Sequence, residues 1–73
     1  MEEFKSILND MLTKLGVDKL DTLDHELNLR DDLEIDSISY AELVVNLENK
    51  FNVNINSEGR AETLGDVITR LSL

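Results

Sequence analysis

Apolar residues recur at Phe4, Ile7, Leu8, Met11, Leu12 and Leu15, the three-and-four spacing that gathers one stripe on an amphipathic helix. Gly16 follows at once, so a first helix is expected to end there. A second stripe, Tyr40, Leu43, Val44, Leu47 and Phe51, lies behind Asp36, a good N-cap. It predicts a helix from about Ser37 to Phe51, with Asn52 and Asn54 marking its end. Thr63 and Asp66 have the spacing of a capping box, with an acid in place of the usual Glu or Gln. A short last helix through Leu64, Val67, Ile68 and Leu71 is expected behind it. Ser57 is a candidate cap for a single turn around Glu58 to Ala61, interrupted by Gly59.

Between the first two stripes, Leu20, Leu23, Leu27, Leu29 and Leu33 are scattered among Asp, Asn, Thr and Arg with neither helical nor strand period. Residues 17–35 therefore predict a long, partly structured loop pinned to the core by its leucines. Loops beyond about 12 to 15 residues in compact domains are uncommon and usually functional or disordered. Val53 to Ile55 alternates with Asn but is too short for a sheet and has no second strand to pair with. The expected class is all-α, in one domain spanning residues 1–73 with no repeat or linker.

A chain of 73 residues buries only roughly 60% of its unfolded surface, which argues against a deep enclosed active site. With no Cys and no metal motif, its stability has to come from packing short elements together. Sixteen acids against seven Lys and Arg give a formal charge of −9. That charge repels nucleic acid and anionic membranes and steers the chain toward basic protein surfaces. Met1-Glu2-Glu3-Phe4-Lys5 lacks the basic and then apolar text of a secretory signal, and no apolar run approaches a membrane span. A cytoplasmic monomer, with no nucleic acid partner and no membrane insertion, is the expectation.

At about 100 degrees per residue, Ile38, Ala41 and Val45 fall on an arc away from the buried stripe of the second helix. Two readings are open: a wider core stripe, or an outward apolar strip rimmed by Glu42 and Glu48 and fit for a partner. Ser37 stands where this helix begins, where free N–H groups and the positive end of the helix dipole favour a bound phosphate. Ser beside Asp at a helix start is also ordinary capping chemistry.

Asp32-Leu33-Glu34-Ile35-Asp36-Ser37-Ile38, followed by Glu42-Leu43 and Leu47-Glu48, resembles the attachment segment of the acyl carrier protein family, the phosphopantetheine-binding carriers. The order of elements from Leu15-Gly16-Val17 onward is similar as well. The resemblance implies a small four-helix bundle with a long loop between helices I and II and a short helix III. It implies that Ser37, with Asp36 beside it, receives 4'-phosphopantetheine from coenzyme A through a separate, magnesium-using transferase. The arm would then carry an acyl thioester for fatty acid, polyketide or specialised lipid biosynthesis. By the same resemblance, Asp36, Ile38, Ala41, Glu42, Val45 and Glu48 would dock on basic surfaces of acyl-processing enzymes. Three departures stand out. Glu34 and Ile35 occupy positions where the family usually has Gly, Ile38 replaces the common Leu, and Ser39, Asn49 and Lys50 stand where fatty acid synthesis members often have acids. The last of these points toward a specialised pathway.

An enzyme is not expected, since His25 is the lone histidine and there is neither a Cys nor a Gly-x-Ser-x-Gly elbow; no catalytic or metal-binding residue is assigned. Asp18, Asp21, Asp24 and Glu26 do not have the spacing of an EF-hand loop and read as a solvated loop. The alternatives retained are an aminoacyl or D-alanyl carrier and, from a different class, an armless interaction module using the Ile38, Ala41 and Val45 strip.

Overall fold

In the computed structural model, which describes residues 1–72, three helices are present: α1 (Glu2–Lys14), α2 (Ser37–Phe51) and α3 (Leu64–Arg70). α1 starts two residues before its first apolar position, with Glu2 and Glu3 in its first turn, where the helix dipole favours acids. It ends in a Schellman motif. Gly16 takes φ +77°, its N–H reaches Thr13 O, and Val17 N–H reaches Leu12 O at 2.8 Å. α2 has the expected bounds, and Asn52 closes it in the left-handed conformation. At α3 both halves of the Thr63–Asp66 capping box form.

The expected short helix III is not there, so the described residues hold three helices rather than four. Around Ser57 the backbone makes isolated turns, with Ser57 N–H to Asn54 O and Gly59 N–H to Asn56 O. Gly59 at φ +97° breaks the right-handed path before a helical turn can close. The segment is held from outside instead. The Arg70 guanidinium donates to Ile55 O and to Gly59 O, tying it to α3.

The core joins Phe4, Leu8, Met11 and Leu12 of α1 to Tyr40, Leu43 and Leu47 of α2 and Leu64, Val67 and Ile68 of α3. Leu15, the last residue of the first stripe, stays outside it. Loop residues complete the core. Leu29, Leu33, Ile35, Ile55 and Ala61 are buried, while Leu20, Leu23 and Leu27 pack half-buried against it. The long loop is thus pinned by its leucines, as their number suggested, and polar bonds fix its course. The Asn9 side chain clamps Leu20 in both directions, donating to its carbonyl and accepting from its N–H. Asn28 Oδ1 accepts the N–H groups of Arg30 and Asp31, and Asp32 Oδ2 accepts that of Asn28. The loop then pairs with the segment before α3 through an isolated antiparallel bridge, Asn28 with Thr63, carried by Leu29 N–H to Glu62 O and Leu64 N–H to Leu27 O. Among the described residues no helix is long and apolar enough to cross a membrane.

Candidate functional site

The site is built by the turn that delivers the chain into α2. Ile35 is fully buried and anchors that turn, and its N–H bonds to Leu29 O at 2.9 Å. Glu34, just before it, sits at φ +58°. A side chain in that left-handed conformation costs about 1 to 2 kcal/mol, so the turn into α2 carries strain at Glu34.

Asp36 caps the helix, its Oδ1 accepting the Ser39 N–H at 2.8 Å and its carbonyl the Tyr40 N–H. Donation from the Ser39 N–H holds the Asp36 carboxyl below its ordinary value. The Ser39 hydroxyl, the Ile38 N–H and the charge of Arg30 add to this against a small opposing cost of desolvation. Ser37 is the first residue of the helix and is exposed. With Ser39 and Tyr40 served by Asp36 and the Ile38 N–H turned toward the same carboxylate, the Ser37 N–H is the first-turn donor left without a partner among the described residues. An exposed hydroxyl beside a free N–H, at the positive end of a 15-residue helix, suits a phosphate ester.

Along the outer side of α2, Ile38 is 82% exposed and Val45 53%, and Ala41, Glu42 and Glu48 are exposed with them. Of the two readings of that arc, the wider core stripe is overturned. One sequence reading needs correction. Ser39 is only 8% exposed and faces the core side, so its lack of charge does not weaken the outer face. Glu42 and Glu48 differ in their surroundings. Glu42 pairs with Lys14 of α1 at 3.9 Å, whereas Glu48 takes part in neither of the ion pairs found among the described residues. Lys50 lies on the α1 side and meets Glu3.

Tyr40, one turn beyond Ser37, is the polar hub beneath the site. Its hydroxyl accepts the buried Ala61 N–H at 2.8 Å and donates to Asn56 Oδ1 at 2.9 Å. The Arg60 guanidinium covers its ring at 4.7 Å. The helical stripe marked Tyr40 as core but gave no sign of these partners, which come from segments 16 and 21 residues away. His25 is an exposed loop residue whose carbonyl accepts the Gly65 N–H, remote in role from Ser37.

Comparison with protein families matches residues 5–71 to the family described as the phosphopantetheine attachment site. The domain of that family is where 4'-phosphopantetheine is attached covalently to a serine, and such carrier domains are not themselves catalytic.

Proposed function

Because the chain belongs to the phosphopantetheine attachment site family, we propose that it is an acyl carrier protein whose arm is borne by the Ser37 hydroxyl. The observation that carries this reading is the exposed Ser37 at the first position of α2, beside a capping Asp36 and with its own N–H free. Loading replaces the Ser37 O–H by an ester O–P bond while the adenosine bisphosphate half of coenzyme A leaves. The arm supplies a terminal thiol that holds the cargo as a thioester. The protein's part is placement and recognition. Asp36 keeps the first turn wound, the Ser37 N–H faces the phosphodiester, and Ile38, Ala41 and Val45 give partner enzymes a small apolar landing strip. Glu48 is the acid on that face that is free to meet a partner's Lys or Arg, with Glu42 shared with Lys14.

The expected setting is a cytoplasmic monomer that visits a transferase and then acyl-processing enzymes of a fatty acid, polyketide or specialised lipid pathway.

The test is intact mass after incubation with coenzyme A, magnesium and a broad-specificity phosphopantetheinyl transferase, beside Ser37→Ala. A gain of one phosphopantetheine in the parent and none in the variant is expected. No gain in a folded parent, with the transferase active on another carrier, would overturn the reading and leave the armless interaction module.

A further inference from the structure

Seven Lys and Arg stand against sixteen acids in this chain, and most of the bases have a visible task. Lys14 and Lys50 pair with acids, Lys5 donates to Asp21 O, and Arg70 staples two carbonyls. Lys19, Arg30 and Arg60 have no such partner among the described residues, and of these the two arginines share a cleft. Neither is in an ion pair among the described residues, in a protein where acids outnumber bases two to one. Both line one polar cleft of about 330 Å³, together with Asn28, Asp31 and Glu62. The cleft forms where the long loop runs beside the segment entering α3.

The cleft does not include Ser37 itself and is linked to the head of α2 through Arg60. Arg60 is laid over the ring of Tyr40, and Tyr40 is three residues along α2 from Ser37, a spacing that puts their Cβ atoms roughly 5 to 6 Å apart on a helix. The two guanidiniums come from two different segments to line one cleft, and the aromatic ring fixes one of them in orientation.

We propose that the Arg30–Arg60 cleft holds an oxyanion tethered at Ser37, either a carboxylate at the end of the carried cargo or the phosphodiester of the arm itself. The proposal rests on the carrier reading of the previous section. The charge of the cleft supports a tethered ligand over a free one. Asp31 and Glu62 balance the two arginines, and the protein as a whole is strongly negative, so nothing draws a dissolved anion in from a distance. A guanidinium fork instead recognises a carboxylate or phosphate at contact distance, through paired N–H donors. A tether supplies the high local concentration that such short-range recognition requires. Cargo with a free carboxylate would be folded back against the carrier, and cargo ending in a methyl group would not.

The experiment compares the parent protein with Arg30→Gln/Arg60→Gln, each loaded with a succinyl or a butyryl group on the arm. Carbon NMR follows the terminal carboxyl, phosphorus NMR the phosphodiester, and nitrogen NMR the guanidinium Nε–H groups. If the cargo is the source, the succinyl carboxyl of the parent titrates about one unit lower than in the double variant. The Nε–H signals of Arg30 and Arg60 then move with succinyl and stay put with butyryl. If the phosphodiester is the source, its phosphorus signal differs between parent and variant with either cargo. Agreement of parent and variant in both signals would overturn the proposal. Arg30→Gln alone, which leaves the Tyr40 ring covered, serves if the double variant does not fold. Since the chain has no cysteine, Ser37→Cys can also be alkylated with chains ending in carboxylate or methyl. A transferase that adds nothing to Ser37 would sink the carrier reading, while these adducts would still show whether the cleft binds a tethered carboxylate.

Discussion

The starts of α2 and α3 use the same capping chemistry and end in opposite states. At α3 every early donor is taken: Leu64 N–H by Leu27 O, Gly65 N–H by His25 O, Asp66 N–H by Thr63 Oγ1, and Val67 N–H by Thr63 O. The Asp66 carboxylate closes the other half of the box, accepting from Glu62 and Thr63. At α2 the side chain of Asp36 serves Ser39 and draws on the Ile38 N–H, and its carbonyl serves Tyr40, leaving the Ser37 N–H without a partner among the described residues. One helix start is sealed by the protein's own loop and so serves stability. The other keeps a donor open beside an exposed hydroxyl, an arrangement that suits a charged group.

The sharpest way to break this contrast is to unseal α3. A Cβ on Gly65 would meet His25 Cβ and O at 3.0 Å each. Gly65→Val should therefore push the loop off the helix and cost about 1 to 3 kcal/mol, seen as a lower denaturation midpoint, while a folded fraction still loads at Ser37. A midpoint equal to that of the parent would mean that the loop contact contributes nothing. Ser37→Ala is the mirror experiment, abolishing loading while stability stays within about 0.5 kcal/mol.

Acid separates the two starts next. The carboxyls of Asp36 and Asp66 both lie below their ordinary value of 3.8. Asp66 is held down first by the Glu62 N–H and then by the Thr63 N–H, with Arg70 adding its charge. A depressed carboxyl stabilises the fold fully above its unfolded pKa, and that contribution is lost as the pH falls through the folded value. Both should therefore contribute to unfolding below about pH 4. A phosphodiester on Ser37 places negative charge next to Asp36 and raises its pKa, while Asp66 keeps its value. Carboxyl carbon titrations of the apo and loaded protein should show a shift at Asp36 only; matching shifts at both residues would erase the distinction.

The turn before Ser37 offers a smaller, opposite change. Glu34→Gly relieves a left-handed side chain at φ +58°, and should raise stability by up to about 1 kcal/mol after the added flexibility of glycine is counted. A lower midpoint would show that the Glu34 side chain stabilises the turn in some other way. The smallest effect concerns docking. Glu48→Lys should slow association with a basic partner enzyme more than Glu42→Lys, because Lys14 already meets Glu42, and the gap should close at high salt. Equal slowing at low salt would put both acids on the same footing.

What could be read along the chain was what local spacing controls. The bounds of α2, the Asp36 cap, the Thr63–Asp66 box and the glycine stop after Leu15 each depend on residues within one turn of each other. The outward turn of Ile38 and Val45 follows from the same periodicity. What could not be read depends on distant pairing. Ile35 looked like part of a motif and is a core anchor; Ile55 lies in a turn and Ala61 in the irregular segment before α3, yet both are enclosed; and the Asn28–Thr63 bridge joins segments with no strand pattern. The missing third helix fails for a local reason that was visible, Gly59, and the carbonyl staple from Arg70 that replaces it was not. The Arg30–Arg60 cleft escaped notice because its two halves lie thirty residues apart in sequence.

The loop bonds that seal α3 also set an order of assembly. α3 has seven residues, too few to hold as an isolated helix in water, and its seal joins residues 25–29 to residues 62–65. Closing so distant a contact carries an entropic cost that short-range helix formation avoids. α1 and α2 can therefore wind and meet, with Asn9 holding Leu20 and Ile35 bonded to Leu29, before residues 27–29 are locked against α3. The bonds that shape the turn into Ser37 lie within residues 29–40, and the seal at α3 adds the long-range part of the loop's order.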